Sequence, residues 1–121
     1  MARILIVDDS PAQMYAIKQI IEPEGHEVIT AENGKSGLEA AKTTRPDVIL
    51  MDIVMPDMNG YTVTRKLRRD SSTKAIPVIF VSTKSNEFDR AWGMRQGAVA
   101  YITKPVNSKD LLQAVQTALS S

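Results

Sequence analysis

The sequence contains no cysteine, and His26 is its single histidine among 121 residues. Without cysteine there can be no disulfide framework, no thiolate zinc site and no cysteine nucleophile. No apolar run approaches the roughly 18 residues of a membrane-spanning helix, and the N-terminus begins like a strand rather than a signal peptide. We therefore expect a cytoplasmic protein without a membrane partner.

An excess of charge of one sign is also absent. Fifteen basic and fourteen acidic side chains leave a formal charge of +1, so bulk electrostatics favour neither nucleic acid nor an anionic membrane. The composition is that of an ordinary globular protein, and the length suits one domain. We expect a single domain over residues 1–121 with no output domain.

Short apolar runs alternate with helical patterns along the chain. Uninterrupted apolar runs at residues 4–7, 48–51 and 78–81 are typical of central strands in a parallel sheet, and the mixed runs at 26–29 and 101–102 suit edge strands. Helical patterns begin near residues 10, 34, 61, 85 and 107. This alternation predicts an α/β fold, a five-stranded parallel sheet with five helices on both faces.

Acidic residues follow two of the predicted central strands. Asp8 and Asp9 end the first strand, and Asp52 ends the third. In an open α/β sheet, ligands bind beyond the carboxyl ends of the strands. If strands one and three are neighbours, the three carboxylates meet, and their mutual repulsion calls for a cation. Oxygen ligands without histidine or cysteine favour a hard ion, of which Mg²⁺ is the abundant one.

A hydroxyl and an ammonium follow the last two strands. Strand four ends in Ser82 and Thr83, and strand five leads to Lys104 and Pro105. Together with the three acids, they would form a site for Mg²⁺ and an anion. Phosphoryl chemistry suits such a site, because the metal and the lysine neutralise phosphoryl oxygens while a carboxylate attacks phosphorus.

At this point the residues resemble a known family, the receiver domains of two-component response regulators, especially the single-domain chemotaxis type. The resemblance covers the whole chain. It is carried by Asp8-Asp9, the 51–56 segment around Asp52, the Asn59-Gly60 turn, Ser82 and Lys104-Pro105. It implies a flavodoxin-like receiver fold with the strand order 2-1-3-4-5.

The resemblance also implies which residues would bind Mg²⁺ and which one would accept the phosphoryl group. Asp52 would take a phosphoryl group from a histidine of a chemotaxis-type sensor kinase. Asp9, Asp52 and the backbone carbonyl of Val54 would bind Mg²⁺ directly, and Asp8 would act through water. The protein would catalyse only its own phosphorylation and dephosphorylation and would not be a turnover enzyme.

The remaining implied roles concern the switch. Lys104 would contact the phosphoryl group, Ser82 would move to hydrogen-bond it, and Tyr101 would follow inward. The surface of the fourth helix, fifth strand and fifth helix would then change for a downstream target protein. A packed tyrosine of an edge strand is an equally good interpretation of Tyr101. We expect a monomer.

Short segments at residues 54–56, 82–84, 91–93 and 95–98 resemble regulators of the type IV pilus, or twitching-motility, chemosensory system. A flagellar chemotaxis regulator and a phosphate sink remain open. Val54 departs from the commonest chemotaxis pattern, which often has asparagine there, and Thr83-Lys84 stand where a small residue is often found. Both departures bear on the lifetime of the phosphate. We hypothesise that Val54 hinders the attacking water.

Other interpretations compete with this one. A haloacid dehalogenase-type phosphatase also uses an aspartate nucleophile and Mg²⁺, but Val54 stands where it wants a second acid. A flavodoxin-like electron carrier should cradle a phosphate in its first loop, which Asp8 and Asp9 would repel, and no G-x-G-x-x-G or P-loop occurs. The acidic pair could simply cap a helix. We expect Asp57 to be solvated, and Trp92 to be either core or a partner contact.

Overall fold

Five strands alternate with five helices in the computed structural model, which describes residues 1–120. The strands are β1 (Arg3–Val7), β2 (Glu27–Ala31), β3 (Val48–Met51), β4 (Val78–Ser82) and β5 (Ala100–Thr103). The helices are α1 (Pro11–Ile21), α2 (Gly34–Thr44), α3 (Gly60–Arg69), α4 (Glu87–Arg95) and α5 (Ser108–Leu119). The predicted alternation is confirmed, although β2 starts one residue later than expected and runs on to Ala31.

All five strands are parallel, in the order β2-β1-β3-β4-β5. This is the order that the resemblance implied. Val7 and Met51, the last residues of β1 and β3, are partners in the ladder, so the residues that follow them are neighbours. The strand order reverses between these two strands, and ligands bind at such a point in open α/β sheets.

The core lies on both faces of the sheet. Alternate residues of β1 belong to different clusters: Leu5 and Val7 pack toward α2 and α3, and Ile4 and Ile6 pack toward α1 and α5. A strand that buries both faces has no solvent-exposed positions for polar side chains. This explains the uninterrupted apolar runs in the sequence.

The five helices begin at side-chain caps. Each cap accepts a backbone N–H from the first turn of its helix; the caps are Ser10, Asn33, Asn59, Asn86 and Asn107. Such caps satisfy N–H groups that the helix itself leaves without a partner. They hold the loops at the carboxyl edge of the sheet in defined positions. No helix within residues 1–120 is both long and apolar enough to cross a membrane.

Helix α4 buries less of its surface than the other helices. Its one buried residue is Gly93, where a Cβ atom would come within 2.9 Å of the Tyr101 ring. Phe88 is 75% exposed and Trp92 is 40% exposed. The interpretation of Trp92 as a core residue is therefore wrong, because the close approach of α4 to the sheet is made at glycine instead.

Candidate functional site

The three predicted carboxylates lie together at the carboxyl edge of the sheet. One carboxylate oxygen from each of Asp8, Asp9 and Asp52 lies within 4.8 Å of those of the other two. Asp8 and Asp52 are buried, and Asp9 is exposed. The backbone N–H of Asp8 donates to the carbonyl of Ala31 at 3.1 Å, and that of Asp52 donates to Val7 at 2.9 Å. The sheet ladder thus continues past the strand ends and holds both acids in place.

Lys104 reaches into this cluster from the end of β5. Its Nζ lies 2.9 Å from Oδ2 of Asp8 and 3.6 Å from Oδ1 of Asp52. Its backbone N–H donates to the carbonyl of Ser82 at 2.8 Å, and its peptide bond to Pro105 is cis. The lysine side chain is almost fully buried, so its charge is balanced by the acids rather than by solvent.

Both oxygens of Asp8 already have protein partners. Oδ2 accepts from Lys104, and Oδ1 accepts the backbone N–H of Ser10 at 2.9 Å. The cap of α1 is Ser10, whose hydroxyl oxygen accepts from Gln13. The acidic pair therefore does not cap this helix, and that competing interpretation is wrong.

The electrostatics of the cluster leave an excess of negative charge. Burial raises the pKa of Asp52 from 3.8 to about 6; Lys104 opposes this rise, whereas Asp8 and Asp9 add to it. Three carboxylates against one ammonium favour a further cation, and a hard ion such as Mg²⁺ matches an all-oxygen donor set. The carbonyl of Val54 accepts no hydrogen bond from within residues 1–120, so it is available as a ligand. The residues present therefore fit Mg²⁺.

Ser82 and Tyr101 lie beside this cluster and share the loop that follows β4. The buried Oγ of Ser82 accepts the backbone N–H of Lys84 at 3.2 Å, and the hydroxyl of Tyr101 donates to the carbonyl of Lys84 at 2.6 Å. The Tyr101 ring is directed inward and lies edge-on to Phe80. Burial raises the pKa of the Tyr101 hydroxyl. Neither hydroxyl hydrogen-bonds Asp52 in the part of the chain that the structure describes.

Asp57 in the loop after β3 and Gly60 at the start of α3 make contacts that the sequence alone does not show. Asp57 is exposed, but its carboxylate accepts the backbone N–H groups of Gly34 and Lys35, each at 3.0 Å, and these bonds lower its pKa. The expectation that Asp57 is merely solvated is therefore incomplete. Its partners lie 23 and 22 residues earlier, so no local pattern could reveal them. Gly60 is required because a Cβ atom there would collide with the carbonyl oxygen of Asp52.

A polar cleft of about 480 Å³ lies between α4, β5 and α5. Arg90 borders it, with its guanidinium 5.5 Å from the centroid of the Tyr101 ring and a hydrogen bond of 2.9 Å to Oγ1 of Thr103. Asn107 and Asp110 form the opposite wall. This cleft occupies the surface that the resemblance assigns to a downstream target.

Known proteins resemble this chain over almost its whole length. Protein PilH of Pseudomonas aeruginosa is 53% identical over 120 residues, which cover 99% of each chain. Protein PilG of the same species is 33% identical over 119 residues, covering 98% of this chain and 88% of that one. The crystal structure of chemotaxis response regulator CheY4 of Vibrio cholerae superposes with a TM-score of 0.90 at 33% identity, covering 98% of this chain and 99% of that one.

The family assignment agrees with the geometry. Residues 4–116 match the family described as the response regulator receiver domain. That span contains β2 to β5, all of β1 except Arg3, and the site formed by Asp8, Asp9, Asp52, Ser82 and Lys104. The chain therefore belongs to the response regulator receiver domain family.

Proposed function

We propose that Asp52 accepts a phosphoryl group from a histidine of a sensor kinase and that this modification switches binding to another protein. One observation carries the proposal: the ammonium of Lys104 lies between Asp8 and Asp52 in a cluster that still has an excess of negative charge. A lysine 3.6 Å from the buried carboxylate of Asp52, together with a metal ion bound beside it, would supply the elements that phosphoryl transfer needs.

The transfer would form one bond and break one. An oxygen of Asp52 attacks phosphorus, the bond from phosphorus to the kinase histidine nitrogen breaks, and its electron pair stays on that nitrogen. Asp52 must be ionised to attack, and with a pKa of about 6 it is largely ionised at neutral pH. Lys104 can then follow the charge from the carboxylate to the phosphoryl oxygens.

A divalent ion would complete this arrangement. Asp9, Asp52 and the carbonyl of Val54 would hold Mg²⁺, which neutralises phosphoryl oxygens when it is bound. Asp8 would contribute through water, because both of its oxygens are already hydrogen-bonded to protein groups.

The switch would begin at Ser82. The hydroxyl of Ser82 would turn to donate to a phosphoryl group on Asp52; its oxygen now accepts the N–H of Lys84, whose carbonyl accepts from Tyr101. Ser82 and Tyr101 are therefore coupled through one residue. A new dianion at Asp52 would change the loop before α4, and with it the surface of α4, β5 and α5.

We propose that the protein acts in the cytoplasm, where ATP is the phosphoryl source of the kinase. The pathway we propose is control of type IV pilus twitching motility. The similarity to PilH and PilG and the type IV pilus resemblance of residues 54–56, 82–84, 91–93 and 95–98 support it. The match over 99% of PilH supports a stand-alone regulator. A flagellar chemotaxis regulator or a phosphate sink is the alternative, and the similarity to CheY4 favours the former.

The decisive experiment is incubation with Mg²⁺ and acetyl phosphate, followed by intact mass spectrometry. We expect a Mg²⁺-dependent gain of one phosphoryl group that Asp52→Asn abolishes. Asp110→Asn, an exposed acid on α5, is the matched control and should keep the gain. A folded, Mg²⁺-binding protein that gains nothing would contradict the proposal.

Two further readouts separate the alternatives. Steady turnover of a small phosphate ester, in place of one-to-one labelling, would favour an aspartate-nucleophile, Mg²⁺-dependent phosphatase. Deletion of the gene, scored for surface twitching against swimming, would distinguish the pilus pathway from the flagellar one.

A further inference from the structure

Helix α4 presents two large apolar side chains to solvent. Phe88 and Trp92 are 75% and 40% exposed and stand four residues apart, so they lie one above the other on the helix. Scattered apolar residues on a surface are ordinary, but paired aromatic rings on one stripe are typical of interaction sites.

The direction of this pair follows from hydrogen bonds on the two flanks of α4. Arg90 donates to Thr103 of β5, whereas Gln96, just past the helix end, accepts from Arg65 of α3 at 2.7 Å. Trp92 precedes Gln96 by one helical turn and is about 200° around the helix from Arg90. The aromatic pair therefore lies on the flank that faces α3, away from the cleft between α4 and α5.

The same flank carries positive charge. The guanidinium of Arg65 donates hydrogen bonds to uncharged side-chain oxygens of Gln96 and Thr62. Arg69 follows Arg65 by one turn on α3, and Arg95 follows Phe88 by two turns on α4. None of these three arginines forms an ion pair with any acid among residues 1–120. We call Arg65, Arg69, Phe88, Trp92 and Arg95 the α3–α4 face.

The α3–α4 face is connected to the switch by Tyr61. The hydroxyl of Tyr61 donates to the carbonyl of Asp89 in α4 at 3.4 Å. Its ring packs edge-on against Phe80, with centroids 5.4 Å apart, and Phe80 in turn contacts Tyr101. A displacement of Tyr101 would therefore be transmitted to the position of α4 relative to α3.

We propose that the α3–α4 face docks a segment of a partner protein that presents acidic side chains around an apolar anchor. Two aromatic rings supply the apolar contact, and three arginines that form no ion pair within residues 1–120 supply the complementary charge. This inference rests on the proposed function, in which the output of the switch is binding to another protein. It adds where that protein would bind and what chemistry it would present. It places the apolar contact on a different side of α4 from the polar cleft beside Arg90.

The test uses a synthetic amphipathic helix of about five turns, with leucine on one face and glutamate elsewhere. Trp92 is the single tryptophan of the chain, so its emission reports occupancy of the face directly. We expect a saturable shift of that emission to shorter wavelength. The affinity should fall about tenfold in Phe88→Ala and also in Arg65→Glu, and it should weaken with salt.

Matched controls make the result specific. Tyr15→Ala removes another exposed aromatic ring, from α1, and Lys109→Glu reverses an exposed charge on α5; both should bind the helix like the wild type. A helix with lysine in place of every glutamate should not bind. Thermal melts will confirm that the variants are folded.

Three outcomes of the emission assay would overturn the proposal. These are no emission shift with the acidic helix, an equal shift with the lysine helix, or an unchanged affinity in Phe88→Ala. A dimer in light scattering that Phe88→Ala converts to a monomer would also overturn it, in favour of a second copy of the chain. The assay needs no phosphorylation, so its failure is distinct from a failure of Asp52 to gain a phosphoryl group.

Discussion

Substitution of Asp52 by asparagine should stabilise the fold at neutral and alkaline pH when no divalent ion is present. Burial raises the pKa of this carboxyl to about 6 in the folded state, against 3.8 as its ordinary value. As pH rises from 4 to 6, the unfolded chain loses this proton while the folded chain keeps it, so stability falls. Above pH 6 the folded wild-type protein carries the full cost of a buried carboxylate. The asparagine variant does not carry this cost.

The size of the effect follows from the pKa difference. A difference of about two units corresponds to roughly 3 kcal/mol at 1.36 kcal/mol per unit. Solvent reaches the open end of the site at Asp9, so we discount this to about 1–2 kcal/mol. In a domain of this size, 1 kcal/mol moves the melting temperature by about 4 °C. Asparagine keeps the side-chain volume and can still accept the N–H of Ile53, which Oδ1 of Asp52 accepts at 2.9 Å.

The assay is urea denaturation of both proteins in EDTA, near pH 4 and near pH 8. We expect the asparagine variant to be more stable near pH 8 and the difference to disappear near pH 4. Added Mg²⁺ should stabilise the wild type more than the variant and narrow the difference, since a ligand of the folded state adds stability. Asp110→Asn should show neither effect. An equal gain at both pH values, or no gain near pH 8, would refute the electrostatic reasoning.

Other substitutions test separate parts of the structure. Lys104→Met removes the ammonium 3.6 Å from Asp52 and should raise the pKa of that carboxyl above about 6; a carboxyl NMR titration with a lower midpoint would contradict this. Val54→Asn should speed loss of the phosphoryl group in a mass-spectrometric time course, because a polar group there can orient water; an unchanged rate would refute the idea. Thr64→Val should stabilise the protein by about 1 kcal/mol in urea, because the buried hydroxyl has no partner among the described residues. Thr73→Val, which removes a 2.7 Å hydrogen bond, should do the opposite.

Much of the fold could be predicted from the sequence because uninterrupted apolar runs alternate with segments of helical periodicity. The apolar runs of β1, β3 and β4 are buried on both faces of the sheet. Polar residues therefore do not interrupt these runs, and the strands are easy to recognise in the sequence. Edge strands were harder to delimit: only Ala31 of β2 is buried, and the strand starts one residue later than expected. The strand order came from resemblance, since periodicity within a strand says nothing about its neighbours.

The sequence by itself determined which chemistry is possible, because it puts Asp8, Asp9, Asp52 and Lys104 just beyond strand ends. Only the tertiary structure decided how these groups divide their roles. It paired Lys104 with Asp8, 96 residues away, and left Asp9 exposed. Such pairings depend on strand order and on backbone paths that local patterns do not encode.

The same reason explains the residues that sequence reasoning misjudged. Trp92 looked suitable for a core, but α4 approaches the sheet at Gly93, and Trp92 is left 40% exposed. Asp57 looked like a solvated loop acid until the fold brought the start of α2 to it. Residue types and spacing set the chemical inventory of this protein, and packing between distant segments decided which groups meet, which are buried and which face a partner.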